Sequence, residues 1–416
     1  MKSLRSLCTR QQKGPACCAT RFCDKSAIGE DNVKKYDVVI AGGSCAGAAA
    51  AFSLTKAGKR ILIIDKTVFP RKKLCGGMVP EKTITLLKDI YGNSISANIP
   101  IDSTCSAFGI FHATLGKVCK YSHPSNKLYF VDRESFDHFF LKQAAAAGCE
   151  VLCGDKVTGV KKNSVITDSG QEFFASFIIG ADGANSMVRK PLYPEIKKED
   201  YTIGLEVDID YNQLNCFDND GGVYPRIYFG FMNFGYGWVF PKKAFATVGL
   251  GGMVRKNNVN IRQLFRTFLK SLLKNGNPLP DRFSAFPVPC HNLIKKPGLG
   301  NVLLCGDAAG LVEPITGEGI YFALLSGQLA ARSILDSDDP AGCYNRLIRG
   351  QILPLFRQAL FMRPLFFNPR IFSYAMYKMM NNGKYCKYYL EMLSGELDYV
   401  GYIKTVLKDR NKYCSE

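Results

Sequence analysis

Asp37-Val38-Val39-Ile40-Ala41-Gly42-Gly43-Ser44-Cys45-Ala46-Gly47 joins an apolar run to a glycine turn and an alanine-rich segment. This order predicts a strand, a tight loop and a helix. Backbone N–H groups at a helix N-terminus have no intrahelical acceptor, so such a junction receives anions. Gly42 permits the turn, and Gly47 lets the helix pack close to the strand. Ser44 stands where the fingerprint G-x-G-x-x-G has its middle glycine, and its small side chain still admits a pyrophosphate. The helix is expected to run to Ala57, with Gly58 as its stop. Arg60-Ile61-Leu62-Ile63-Ile64 then reads as a buried parallel strand ending at Asp65. That carboxylate lies at roughly the ~20-residue spacing of a ribose-hydroxyl acceptor.

Two further glycine-centred stretches follow. Ile179-Gly180-Ala181-Asp182-Gly183-Ala184-Asn185-Ser186 runs on to Arg189, and Leu304-Cys305-Gly306-Asp307-Ala308-Ala309-Gly310 leads into Pro314-Ile315-Thr316-Gly317-Glu318-Gly319-Ile320. One such motif is weak evidence of a cofactor. Three, in this order, converge on a flavin dinucleotide, FAD.

Composition sets the outer limits. A chain of 416 residues, 47% apolar, can bury a large core and hold two or three structural units. The formal charge of +18 comes without any nucleic-acid-binding motif, so an anionic membrane surface or an anionic substrate fits it better than RNA or DNA. Sixteen cysteines are scattered without a C-x-x-C pair, which suits a reducing, cytoplasmic compartment. Cys8, Cys17, Cys18 and Cys23 match no zinc or iron–sulfur spacing, and no metal is expected. Residues 1–35 form a basic, cysteine-containing extension without the apolar core of a secretory signal. No run of 18 apolar residues occurs, and Arg357 and Arg363 interrupt the best candidate, Ile352 to Phe367. His112, His123, His138 and His291 are dispersed and form no ligand set.

Val131-Asp132-Arg133-Glu134-Ser135-Phe136-Asp137 opens a helix through Ala147 that ends at Gly148. Residues 200–255 alternate aromatic, apolar and glycine residues in the manner of antiparallel strands. Asn301-Val302-Leu303-Leu304 resumes the nucleotide fold, and the chain beyond Asp339 turns helical, basic and aromatic. The expected fold is therefore α/β, an FAD-binding Rossmann-like domain with an inserted antiparallel β-sheet domain and a helical C-terminal region. The FAD-binding part takes residues 36–105, 128–192 and 285–345. The substrate domain takes 106–127 and 193–284, and the helical region 346–416.

The order of motifs resembles the flavoprotein fold of p-hydroxybenzoate hydroxylase and, within it, the geranylgeranyl reductase family. Four elements carry the second resemblance: Phe69-Pro70-Arg71 followed by Lys73-Leu74-Cys75-Gly76-Gly77; Tyr236-Gly237-Trp238-Val239-Phe240-Pro241; Pro314 with Thr316-Gly317-Glu318-Gly319-Ile320; and Ser394-Gly395-Glu396-Leu397-Asp398-Tyr399. It extends over about residues 36 to 403.

The resemblance implies that Ala46 and Gly47 lie against the flavin pyrophosphate and that Asp65 takes the adenosine ribose. Cys75, Gly76 and Met78 would sit beside the flavin, Arg133 near its phosphate or ribityl region, and Val157 at the adenine. Asp307 would bind ribityl hydroxyls. Gly319 and Ile320 would present a helix N-terminus to the electron-rich edge of the isoalloxazine. Asp182 would either touch the cofactor or fix a turn beside Arg189. Cys75 and Trp238 are the candidate catalytic residues, with plain packing as the rival role for each. Tyr236, Trp238 and Phe240 would line an apolar channel, within aromatic walls running from Tyr224 to Phe240.

The implied activity is saturation of C=C bonds in an isoprenoid chain, on a lipid, a quinone or a chlorophyll-like substrate. Electrons would come from NADPH or a reduced protein partner, and basic, aromatic residues after Asn345 would rest the chain on anionic lipid as a peripheral membrane protein. The sequence identifies no proton donor. An FAD-dependent monooxygenase or halogenase of the same fold is the second reading, and a non-enzymatic flavin redox module the third.

Overall fold

The computed structural model describes residues 35–122, 127–217 and 222–413. The cysteines at 8, 17, 18 and 23 and His123 lie outside them.

Val38, Val39, Ile40 and the run Ile61 to Ile64 are wholly buried, because a parallel strand between helical layers is covered on both faces. Lys35–Ala41 is central. Ile61–Asp65 and Glu150–Cys153 lie on one side of it, Glu172–Gly180 and Val302–Leu304 on the other, all parallel. Val157–Lys161 and Ser164–Thr167 hang antiparallel from Glu172–Gly180.

The helix after the glycine turn is Cys45–Lys56, with Ala57 as its cap and Gly58 at φ +80°. Its alanines at 48–51 are fully buried against the helices Ile320–Asp336 and Arg133–Ala146. A Cβ at Gly47 would overlap the carbonyl oxygen of Gly42, so the strand–turn–helix junction closes only around glycine. Arg133–Ala146 starts from Asp132, whose carboxylate accepts the Glu134 N–H, and is followed by Gly148 at φ +111°.

The second sheet has seven strands in the order Ser284–Val288, Thr202–Asp210, Phe245–Met253, Gly235–Pro241, Arg226–Phe229, Ala107–His112 and Gly116–Ser122. Neighbours are antiparallel except Arg226–Phe229 with Ala107–His112, which run parallel. These two strands come from separate stretches of the chain, so no hairpin sets their direction. One face packs on the amphipathic helix Ile261–Leu272 through Phe265, Phe268 and Leu269. A third, small sheet of Met78–Pro80, Leu128–Phe130 and Ser103–Cys105 lies in the connections between the two large ones.

Five helices, Pro340–Gln351, Leu353–Phe366, Pro369–Asn381, Gly383–Ser394 and Tyr399–Tyr413, complete the described chain. None of its helices is long and apolar enough to cross a membrane.

Gly47→Ala should lower stability by ~1–3 kcal/mol through overpacking, read as a lower denaturation midpoint. At Gly350 a Cβ would meet nothing within 4 Å, so Gly350→Ala should be neutral or stabilising. Equal midpoints for the two variants would contradict the close approach at Gly47.

Candidate active site

The carboxyl ends of the parallel strands face the open side of the second sheet across a cleft of about 590 Å³. Gly42, Ala46, Asp65, Arg133 and Val157 line its nucleotide end. Cys75, Gly76, Met78, Asp182, Asp307, Gly319 and Ile320 also line it, and Tyr236, Trp238 and Phe240 close it from the sheet. Of the residues the resemblance assigns to the cofactor, Gly47 alone stands behind the wall, where it supports Gly42.

At the glycine turn the controlling residue is Asp137, fully buried. Arg133 donates to both of its oxygens, from Nε at 2.8 Å and from Nη2 at 2.9 Å. Ser44 Oγ donates to it at 2.7 Å, and Arg71 lies 3.5 Å away. Burial alone would raise the Asp137 carboxyl, but the charges of Arg133, Lys73 and Arg71 hold it at about 2. Burial, then the Asp137 charge, push the neighbouring Cys45 thiol up to about 12, so it stays neutral. Ser44 thus stands at the middle-glycine position as a partner of a buried ion pair. Asp65 has a similar second duty: Oδ2 accepts the Gly43 N–H at 2.8 Å, and Oδ1 accepts the Thr67 N–H and hydroxyl at 3.0 and 2.7 Å.

Asp182 Oδ2 accepts the Met187 N–H at 2.6 Å and the Val188 N–H at 3.3 Å, fixing the turn that leads to Arg189. Its other oxygen is buried with no partner, and burial raises its pKa. Asp307 is half-buried on the same wall, following the strand Val302–Leu304. An orphan carboxylate oxygen, a glycine cradle and a helix beginning at Ile320 after Gly319 are donors and acceptors suited to the hydroxyls and phosphates of FAD.

The sheet side is built differently. Side chains alternate along Gly235–Pro241, so Tyr236, Trp238 and Phe240 share the cleft face while Val239 enters the opposite core. Register places Trp238 and Glu206 on either side of Gly249. A Cβ at Gly249 would overlap the indole ring; without one, the indole crosses the strand and Nε1 donates to Glu206 Oε1 at 3.2 Å. Lys242, 4% exposed, donates to the Gly76 carbonyl at 2.7 Å and the Val131 carbonyl at 2.8 Å. This ammonium fastens the Cys75-Gly76-Gly77 arch over Trp238 and Phe240. The Cys75 sulfur accepts the Gly77 N–H at 3.4 Å.

From the opposite side, Tyr236 donates its hydroxyl to the Thr316 carbonyl. Tyr399, from the Ser-Gly-Glu-Leu-Asp-Tyr segment, donates to Glu313 at 2.7 Å, and Glu313 in turn accepts the N–H groups of Ile315 and Thr316. The C-terminal region therefore pins the turn from which helix Ile320–Asp336 departs.

The expected aromatic walls are corrected in part. Tyr224 is absent from the cleft and packs on Lys120 and Arg226, each 4.3 Å from its ring, while Tyr228 turns to Phe268 on the far face of the sheet. Sequence reasoning also passed over Asp137, Glu206, Lys242 and His291. Only Asp137 had a visible signal, its i,i+4 spacing from Arg133 on a predicted helix. His291 lines the cleft, contacts Arg363, and is pushed down to about 3 by burial and that neighbouring charge.

Fold and cleft together define a flavoprotein of the p-hydroxybenzoate hydroxylase type, and residues 35–220 match the model of the FAD binding domain family. The geranylgeranyl diphosphate reductase of Rhodobacter capsulatus is 31% identical over 332 residues, 74% of this chain and 78% of the relative. The digeranylgeranylglycerophospholipid reductase of Methanocaldococcus jannaschii is 27% identical over 325 residues, 73% of this chain and 78% of the relative. A solved geranylgeranyl bacteriochlorophyll reductase-like protein of Thermoplasma acidophilum shares the fold, with a TM-score of 0.73 at 21% identity over 90% of this chain and 99% of that one. The chain belongs to the geranylgeranyl reductase family.

Asp137→Asn would leave the Arg133 cation buried without its counter-charge, a loss of ~3–5 kcal/mol. The pH dependence follows from the depressed carboxyl. Its stabilisation is present above the unfolded value of ~3.9 and is lost as pH falls through about 2. Acid unfolding followed by circular dichroism should show this component between about pH 4 and 2 in the native chain and lose it in Asp137→Asn. An unchanged acid transition would contradict the assignment.

Proposed function

We propose that this protein is an FAD-dependent reductase that saturates C=C bonds of a geranylgeranyl-type isoprenoid chain carried by a lipid, quinone or chlorophyll-like molecule. The observation that carries this reading is the continuity of the cleft. One space runs from the nucleotide cradle to an apolar floor formed by Ile227, Tyr236, Trp238, Phe240 and the bare backbone at Gly204 and Gly251. A prenyl chain offers no hydrogen-bonding groups, so a slot for it is walled by apolar and aromatic surface.

When bound, reduced FAD supplies a hydride. The chain's own residues do the rest. Gly42 and Ala46 would receive the pyrophosphate, with Arg133 near the phosphate or ribityl region. Asp65 and Asp307 would accept ribose and ribityl hydroxyls, and the N-terminus of helix Ile320–Asp336 would favour negative charge on the ring edge. Cys75, Gly76 and Met78 would border the ring, a border fixed by the hold of Lys242 on Gly76. Trp238 orients the chain and excludes water. NADPH or a reduced protein supplies the electrons.

Membrane contact is part of the same proposal. Between Pro340 and Leu390 the sequence holds no Asp or Glu but has Arg346, Arg349, Arg357, Arg363, Arg370, Lys378, Lys384 and Lys387. Helices Leu353–Phe366 and Pro369–Asn381 expose Phe361 at 75%, Tyr377 at 61%, Tyr374 at 55% and Ile371 at 47%. Arg363 and Phe367 also line the cleft, so the surface suited to anionic lipid adjoins the slot that would receive a lipid-borne chain.

The protein should purify yellow and release FAD on denaturation. Asp307→Ala should weaken retention by ~1–3 kcal/mol; release of FMN alone would refute the dinucleotide assignment. With dithionite-reduced protein and a geranylgeranylated substrate, mass spectrometry should show products heavier by pairs of hydrogens. Cys75→Ser should keep FAD and slow reduction, and Trp238→Ala should impair substrate use more than flavin binding. Hydroxylated or halogenated products would move the protein to the monooxygenase or halogenase class.

Co-sedimentation with phosphatidylglycerol vesicles should decrease with salt, and Phe361→Glu should weaken it about tenfold or more through lost apolar burial. Binding insensitive to both would contradict the membrane surface.

A further inference from the structure

We propose that Glu206 is the general acid of the reduction, delivering to one alkene carbon the proton that accompanies hydride transfer to the other; this rests on the reductase reading above. Three independent features of position support it. Glu206 is 3% exposed, and among the described residues it is the one carboxylate that lines both this cleft and a second, outer cleft of about 1290 Å³. Gly249, between its strand and that of Trp238, brings no side chain to cover it, so the indole Nε1–H reaches Oε1 and orients the carboxyl from the substrate side. The Cys75 backbone packs against the same carboxyl, placing it beside the arch that borders the flavin.

The protonation state fits the role. Burial pushes the Glu206 carboxyl up to about 8, against the opposing pull of Lys242 and of the indole N–H. The groups facing it are few. Asp208 lies two residues along the same strand and raises it further; Lys242 and Tyr236 come from the Trp238 strand and its end, and Cys75 from the arch. Neither Phe245–Met253 nor Ser284–Val288, the flanking strands of its own, carries a titratable side chain. A carboxylic acid near neutrality on the wall of an apolar slot is an acid poised for proton transfer at physiological pH.

The step balances. The two electrons and hydrogen of a hydride from the reduced flavin form one C–H bond. The alkene π pair takes the Glu206 proton as the carboxyl O–H breaks, forming the second, and the flavin ends oxidised by two electrons. The carboxylate left behind recovers its proton from water in the outer cleft, whose lining also includes Lys72, Lys73, Asp208 and Arg262.

Trp238 is the only tryptophan in the chain, which makes it a reporter that needs no turnover. In the FAD-loaded protein, its fluorescence should change in one step near pH 8 as Glu206 ionises, and Glu206→Gln should remove that step while retaining FAD. In single turnovers of dithionite-reduced enzyme with a geranylgeranylated substrate, the native rate should fall as pH rises through about 8. Glu206→Gln should be slower by ~10²-fold or more, and Glu206→Asp should recover part of the rate. A fluorescence step that survives in Glu206→Gln, or reduction by Glu206→Gln at the native rate, overturns the assignment while leaving the reductase reading intact. Native protein that reduces no prenyl chain overturns the reading on which it rests.

Discussion

A carboxylate with no access to water holds the nucleotide end of this molecule together. Asp137 is fully buried and is kept ionised by Arg133 on its own helix, with Arg71 on the preceding loop and the Ser44 hydroxyl at the glycine turn. An unpaired charge in that position would cost several kcal/mol, so the pair commits three separated segments to one geometry. The turn that receives phosphate, the helix beside it and the loop that leads to Cys75 are thereby fixed relative to one another. Asp65 repeats the device on a smaller scale by spanning Gly43 and Thr67.

The other half of the cleft depends on absent side chains. Gly204, Gly249 and Gly251 lie on adjacent antiparallel strands, in rows that also hold Tyr236, Glu206 and Trp238. Clearing Cβ atoms from the centre of the sheet lets the indole lie flat across a neighbouring strand and leaves apolar depth beside it. Lys242 then fastens the Cys-Gly-Gly arch to this sheet through two carbonyl oxygens. The interaction joins the nucleotide-binding half to the substrate-facing half, at a desolvation cost that is offset by the two hydrogen bonds and lowers the ammonium pKa.

Much of this was legible without coordinates. Apolar runs of five residues flanked by glycine named the parallel strands, and alternation after Thr202 named the second sheet, because burial on two faces or on one leaves different periods in a sequence. The glycine turn, the Arg133 helix and its Gly148 stop were equally local. Motif order named many of the residues that line the cleft but not Glu206 or His291, and it misplaced Tyr224, which lies outside the cleft, and Gly47, which stands behind its wall.

Glu206 shows where that legibility ends. In Thr202–Asp210, Leu205, Val207 and Ile209 alternate with Gly204, Glu206 and Asp208, so the pattern by itself assigns the polar face to solvent. Folding covers that face with the Cys75 arch and with Trp238, and turns an ordinary surface carboxylate into a buried acid. The sequence by itself determined the flavin-binding topology, since turn chemistry and burial periods act between near neighbours along the chain. Tertiary structure alone decided which charges are desolvated and which partners they meet, because a pKa and an ion pair depend on distances between segments that no local pattern records.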